Sequence, residues 1–274
     1  MTTLGKNITA IAVKGKFDDC QALVKQAFAD KELTHLNLSS ANSINFGRLL
    51  PQIVYYFYAY SKLSKGEKVV FSVPSGNFGN LMGGLLAREM GLPVTKFLVA
   101  VNENNEFPKF LEIGIYKPIS PSIVCPSTAM NVGHPSNLAR LIYLYRGQMD
   151  EKGNITRMPD MTKLKKDIFS ISISNKKTMQ TIKKLYKKYK IILEPHGAVG
   201  FLALQKYLNK TKDNHLSIVL ETAHPAKFSD DIKELLNIDP KLPESMKKFE
   251  NKQEKYITLN VNYSQFKEFL KTHT

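Results

Sequence analysis

The stretch "SVPSGNFGN", residues 72–80, decides the fold. Before it runs the apolar, β-branched segment "KVVFSVP", which stops at Pro74. After it begins an Ala- and Leu-rich run, "LMGGLLAREMGL". A strand that breaks into glycines and amides and restarts as a helix is a strand–turn–helix unit. Gly76 and Gly79 permit backbone angles and close approaches that a Cβ would block. The free N–H groups opening the next helix attract an anion, and Asn77 and Asn80 add amide donors. The arrangement suits a phosphate monoester. It is neither GxxxxGKS/T nor GxGxxG. Glycine with asparagine at such a junction also serves as a plain turn.

Outward from this loop the pattern repeats. "ITAIAV" reads as a strand and "FDDCQALVKQAF" as a helix with acids in its first turn. "HLNLSS" is short and extended. "NFGRLLPQIVYYFYAYSKL" reads as one long apolar helix with Pro51 near its start. "TKFLVAVN" is a strand after the turn signal Gly91-Leu92-Pro93. Residues 103–136 read as loop with short elements, and "NLARLIYLYRG" as a helix. "KIILEPHGAVGFLALQKYL" is a strand, a turn and a helix; "LSIVLETAHP" is a strand ending in a polar cluster. The alternation predicts an α/β fold, a mainly parallel sheet with helices on both faces. In such a sheet ligands bind beyond the carboxyl ends of the strands. Three polar clusters, "PSGNFGN", "EPHGAVG" and "ETAHPAKF", are expected there, around one shared site.

The chain has 274 residues and 43% apolar content, enough for a sizeable core. Net charge is +15. Much of the excess lies in 163–190, which holds ten lysines and one acid, Asp167. In "KKTMQTIKKLYKKY" the apolar Met179, Ile182, Leu185 and Tyr189 form one helical face, and the lysines form a solvated remainder. Lysine also far outnumbers arginine, the residue favoured for base-edge and phosphate-fork contacts. The pattern argues against nucleic acid as partner. No apolar run reaches about 18 residues, so no membrane segment is expected. Cys20 and Cys125 have no metal spacing and fit a reducing, cytoplasmic setting.

"SVPSGNFGN" resembles the cofactor-phosphate loop of the threonine synthase family, pyridoxal-phosphate enzymes of the tryptophan-synthase-β fold (fold type II). "NSINFGR", "PSTAMNVGHPSN", "EPHGAVG" and "ETAHPAKF" agree with that family in order, and the likeness extends to the opening "TTLGKNITAIAVKGKFDDCQALVKQAF". The resemblance implies roles for single residues. Gly76, Asn77, Phe78, Gly79 and Asn80 match the loop that holds the phosphate of pyridoxal 5'-phosphate. Thr222 matches the hydroxyl beside the pyridine nitrogen, a neutral partner that permits an unprotonated ring. Asn42, Ser43 and Arg48 match residues that bind the substrate's phosphate, for which an arginine fork is apt. His196 and His224 are expected to be structural. Asn131 stands where the family more often has aspartate.

The implied reaction converts O-phospho-L-homoserine and water to L-threonine and phosphate. The family's Schiff-base lysine sits in an FKD motif after a GPT-type segment, and neither occurs here. Lys166-Asp167 and Lys212-Asp213 share only the dipeptide. The chain resembles the C-terminal three fifths of the family's enzymes, with the N-terminal part missing. Residues 1–40 are expected to be the remnant of a smaller domain, 41–240 the large cofactor-binding domain, and 241–274 a tail packing on it. A separate N-terminal polypeptide is one expected partner. Alone, the chain is expected to be inactive; the alternative is a non-catalytic remnant or phosphate-ligand-binding module.

Overall fold

The computed structural model describes residues 2–3, 7–150, 153–249 and 251–273. In chain order its elements are β1 (Ile11–Val13), α1 (Phe17–Ala29), α2 (Ile53–Leu63), β2 (Val69–Pro74), α3 (Gly79–Glu89), β3 (Val94–Val101), α4 (Glu106–Ile113) and α5 (Leu138–Leu144). There follow β4 (Gln148–Met149), β5 (Ile155–Arg157), α6 (Met161–Asp167), β6 (Ile168–Ser172), α7 (Asn175–Tyr189), α8 (Pro195–Thr211) and β7 (Leu216–Val219). The last are α9 (Ser229–Leu236), α10 (Glu244–Lys247), β8 (Ile257–Leu259) and α11 (Tyr263–His273). Two compact units result: residues 40–240, and residues 1–39 together with 241–274.

The larger unit is built on a four-stranded sheet in the order β6-β3-β2-β7, all pairs parallel. Every residue of β2 is buried. Its side chains alternate between the two faces, as the strand period requires. Val69, Phe71 and Val73 join the cluster that includes Tyr56 of α2 and Leu81 and Leu85 of α3. Val70 packs with Leu98, Leu204 and Tyr207, the last two from α8. Both faces are therefore covered by helices, as the uninterrupted apolar runs of β2 and β3 predict. Tyr56 and Phe71 meet edge to face at 4.9 Å. Gly84 makes room for this pair, since a Cβ there would lie 2.6 Å from the Tyr56 ring and 2.7 Å from that of Phe97. Gly200 plays the same part on the other face, where a Cβ would stand 3.0 Å from Pro74 and 3.1 Å from Val219. There the Ser72 hydroxyl donates to the Gly200 carbonyl at 2.7 Å.

Three local expectations are corrected, and one strand that the sequence reading did not find is added. The segment around "HLNLSS" is not extended at its start: residues 31–36 form a 3-10 helix, begun by Asp30 accepting from the Glu32 N–H and ended by Asn37 in the left-handed region. The long helix over 45–63 begins only at Ile53, after two 3-10 turns at Phe46–Arg48 and Leu50–Gln52. Pro51 has no N–H to donate, and it biases Leu50 away from the α region. "KIIL" is not a strand. Lys190 closes α7 in a left-handed conformation, and the chain runs directly into Glu194, the N-cap of α8. The fourth strand is "IFSIS", β6, which pairs with β3 at the edge of the sheet. The surrounding lysines conceal it in the sequence.

In the smaller unit β1 pairs with β8 in parallel, Ile11 opposite Ile257. Lys267 of α11 forms ion pairs with Asp30 at 2.8 Å and Glu32 at 3.0 Å, and Lys271 pairs with Glu32. The two terminal segments, separated in the sequence reading, thus share a strand pair and an ion-pair cluster.

Candidate active site

The glycine loop joins the C-terminal end of β2 to the first turn of α3. Phe78 occupies the N-cap of α3 with φ 62, a left-handed conformation uncommon for a residue with a side chain. Its ring holds it there: it is buried and meets Phe107 edge to face at 4.9 Å. Among the described residues the N–H groups of residues 76–80 donate to no protein acceptor. They form an anion-binding concavity at the positive end of the helix. The amides brace this loop. Asn80 Nδ2 donates to the Pro74 carbonyl at 2.8 Å, and Asn77 Oδ1 accepts from the Ser136 N–H at 3.1 Å. The donors left free are the backbone groups and, among the described residues, the Asn77 Nδ2 amide.

A cavity of about 240 Å³ opens over the loop. Gly76, Asn77, Gly79 and Asn80 line one side, Ala129 and Met130 another, and Thr222 and Lys227 a third. Side chains at the glycines would close it. A Cβ on Gly76 would lie 2.5 Å from the Ala129 carbonyl oxygen, and one on Gly79 would lie 2.9 Å from Ser43 Cβ. The residues present fit a phosphate group: free N–H donors, no carboxylate in the lining, and backbone close enough to enclose it.

The Ala129 wall is fixed from α8. His196 Nε2 accepts from the Ala129 N–H at 3.1 Å, which places the ring proton on Nδ1, facing the Glu194 carboxylate. That fully buried carboxylate also caps α8, accepting from the N–H groups of His196 and Gly197 at 2.8 Å each. Glu221, at the end of the β7 segment, turns its carboxyl inward and accepts from the Glu194 N–H at 3.3 Å. A Cβ on Gly197 would lie 1.7 Å from Glu221 Oε2, so a side chain there would require the Glu221 carboxyl to swing away. The residue as a whole is exposed, but its carboxyl packs against the start of α8; desolvation there, then the neighbouring Glu194 carboxylate, push Glu221 up to about 7.

The 40–48 loop borders the cavity through Ser43. The Ser43 hydroxyl donates to Asn42 Oδ1 at 3.2 Å and accepts from Asn137 Nδ2 at 3.1 Å. Asn137 also donates its side-chain amide to the Asn77 carbonyl at 2.9 Å. Arg140 donates to the carbonyls of Ser43 and Ile44 and to Asn137 Oδ1. One buried asparagine therefore ties this loop to the glycine loop.

A family model described as "Pyridoxal-phosphate dependent enzyme" matches residues 1–221, most of the chain. The chain belongs to the pyridoxal-phosphate-dependent enzymes. A second model, "Threonine synthase, C-terminal", matches residues 197–270. Threonine synthase of Buchnera aphidicola from Schizaphis graminum is 39% identical over 271 residues, 98% of this chain and 59% of that protein. The Escherichia coli K12 threonine synthase is 41% identical over 247 residues, 89% of this chain and 54% of that protein. Among solved structures, Escherichia coli threonine synthase superposes with a TM-score of 0.86 at 36% identity over 100% of this chain and 60% of that one. The pyridoxal-phosphate-bound threonine synthase of Brucella melitensis gives 0.82 at 31% identity over 97% of this chain and 60% of that one. The chain spans about three fifths of these relatives' length.

In this pyridoxal-phosphate-dependent fold, the residues singled out from the sequence fall into two groups. Gly76, Asn77, Gly79, Asn80, Thr222 and Ser43 line the cavity, while Phe78 is buried behind it. Arg48 is exposed, and its Nε donates to the Ala41 carbonyl at 2.8 Å; Asn42 reaches the cavity only through Ser43. His224 accepts from the Ala226 N–H at 3.1 Å and shapes the turn into α9. Asn131 bridges its own loop, accepting from the Cys125 N–H and donating to the Cys125 carbonyl, each at 3.1 Å. An aspartate could make only the first of these bonds. Lys166 and Lys212 do not line the cavity, whereas Lys227 does. Sequence reading overlooked Lys227, Asn137 and Arg140. All three lie inside or next to the quoted motifs "ETAHPAKF" and "PSTAMNVGHPSN", in which Thr222, His224 and Asn131 were the residues singled out.

Proposed function

We propose that this chain supplies the cofactor-phosphate cradle, the ring partner and the substrate-phosphate loop of a threonine synthase reaction, converting O-phospho-L-homoserine and water to L-threonine and phosphate. The observation that carries this reading is the row of free N–H groups at residues 76–80 under a cavity that also receives Thr222. Pyridoxal 5'-phosphate held there supplies the electron sink for carbanion chemistry on the substrate. The N–H groups of residues 76–80 bind its phosphate. Thr222, in the cavity lining, would supply a neutral hydroxyl partner for the pyridine nitrogen. Asn42, Ser43 and Arg48 grip the substrate's phosphate, and Lys227 adds a cation at the rim. No Phe-Lys-Asp tripeptide occurs in the 274 residues. We assign the proton-moving lysine to the part of the relatives' length that this chain does not match.

That same absence favours a second reading, a phosphate-ligand-binding module without catalysis. Co-expression separates the two. This chain is paired with an N-terminal fragment of a relative carrying the GPT…FKD segment, and phosphate release from O-phosphohomoserine is measured. Activity that disappears when the FKD lysine is changed to alanine supports the first reading. A folded complex with no activity above that control supports the second. Activity of this chain alone overturns the assignment of the lysine.

A further inference from the structure

Two packed helices of the larger unit contain no acidic residue. α7 carries six lysines and α8 two. Between them lies a cleft of about 320 Å³ that shares no lining residue with the cavity above the glycine loop. Lys177, Lys184 and Lys188 enter it from α7, and Lys206 from α8. The α7 lysines are seven and four residues apart, which places them on one stripe. Among the described residues none of the four is ion-paired with a carboxylate. Lys206 is half-buried; burial and then the Lys177 ammonium hold it below the ordinary lysine range.

The bottom of the cleft has a different character. Leu185 is buried, and Phe201 and Leu202 are half-buried. Gln180 and Gln205 stand at its sides with amide groups that have no side-chain partner among the described residues. Lysines that serve only for solubility alternate with acids and fan into water. Here four line one concave surface, where a bound anion would offset their like charge. A cleft of this size falls within the range of small-ligand sites, about 300–1,000 Å³.

We propose that the α7/α8 cleft binds a small organic polyphosphate carrying a flat ring, in chemical class a nucleoside triphosphate. The phosphates lie among the ammonium groups of Lys177, Lys184, Lys188 and Lys206. The ring lies on Phe201, with the Gln180 and Gln205 amides at its edge. Base–aromatic contact of this kind strengthens single-strand binders, so the ring is expected to add measurably to the charge attraction.

The test uses the 274-residue chain with ATP as probe and tripolyphosphate as the charge-only comparison, followed by titration calorimetry at physiological salt. Saturable ATP binding below about 1 mM is expected, at least about fivefold tighter than tripolyphosphate. The double change Lys184→Gln with Lys206→Gln is expected to weaken ATP about tenfold or more, and Phe201→Leu to abolish the preference over tripolyphosphate. Lys109→Gln, an exposed lysine outside the cleft, is the control and is expected to leave affinity within about twofold. Absence of saturable binding overturns the proposal. So does equal weakening by the control, which marks diffuse charge, and so does equal affinity for tripolyphosphate, which leaves the ring without a site.

Discussion

His196 Nε2 accepts a hydrogen bond from the Ala129 N–H at 3.1 Å, across 67 positions of sequence. Through this bond the first turn of α8 sets the wall that faces the glycine loop. His196→Ala leaves the Ala129 N–H and the buried Glu194 carboxylate short of a partner. Unfolding in urea is expected to show a loss of about 2–4 kcal/mol. Pyridoxal-phosphate affinity is expected to fall with it, because the wall is no longer held. Unchanged affinity in a folded variant would mean that Ala129 keeps its place without the ring.

Gly76→Ala tests the cradle directly. The new Cβ meets backbone atoms, the Ala129 carbonyl oxygen and Met130 Cα, which cannot swing aside as a side-chain tip can. A cost of about 1–3 kcal/mol in stability is expected from this overpacking. Circular dichroism is expected to show the helices intact, while phosphate-competed binding of pyridoxal phosphate falls about tenfold or more.

Glu221 predicts a pH dependence. Its carboxyl titrates near 7 in the folded chain, above the usual 4.5. Between those values the folded state holds more protons than the unfolded state, so stability falls as pH rises. Above about 7 the contribution is level. Glu221→Gln removes the titration, so the variant is expected to have a flatter stability curve between pH 5 and 7 and to melt higher than wild type at pH 8. A variant curve parallel to that of wild type would assign the slope to other groups.

Arg48→Ala, in the reconstituted pair described above, is expected to cost about 2–4 kcal/mol of transition-state stabilisation for O-phosphohomoserine, the scale for losing one partner of a desolvated charge pair. Pyridoxal-phosphate affinity is expected to change little, since the glycine loop binds that phosphate separately. Parallel losses of both would point instead to the Arg48–Ala41 bond that holds the 40–48 loop.

The legible parts of this molecule were those whose local pattern and tertiary role agree. The run Val69–Pro74 is apolar throughout because both its faces are buried, so strand and burial are read together. Gly76 and Gly79 stand where contact distances leave no room for a Cβ, and a turn signal reports that directly. β6 was illegible for the opposite reason: "IFSIS" is a short edge strand within a lysine-rich region, and only its pairing with β3 makes it a strand. "KIIL" has strand composition, but the left-handed Lys190 and the Glu194 cap leave it no neighbour. Asn137 closes a quoted motif, but nothing local announces its role, which is to reach Ser43 and Asn77, 94 and 60 positions away.

The pairing of Ile11 with Ile257 sets an order of events during synthesis. The larger unit ends at residue 240, and all four strands of its sheet have been made once β7 has emerged. Strand β1 waits for its partner: β8 follows only after the whole of the larger unit has been made. Until then the N-terminal segment carries an open strand edge, the kind of surface that pairs with whatever strand is near. Slow translation between β7 and β8 therefore prolongs the exposure of that edge without delaying the formation of the candidate site.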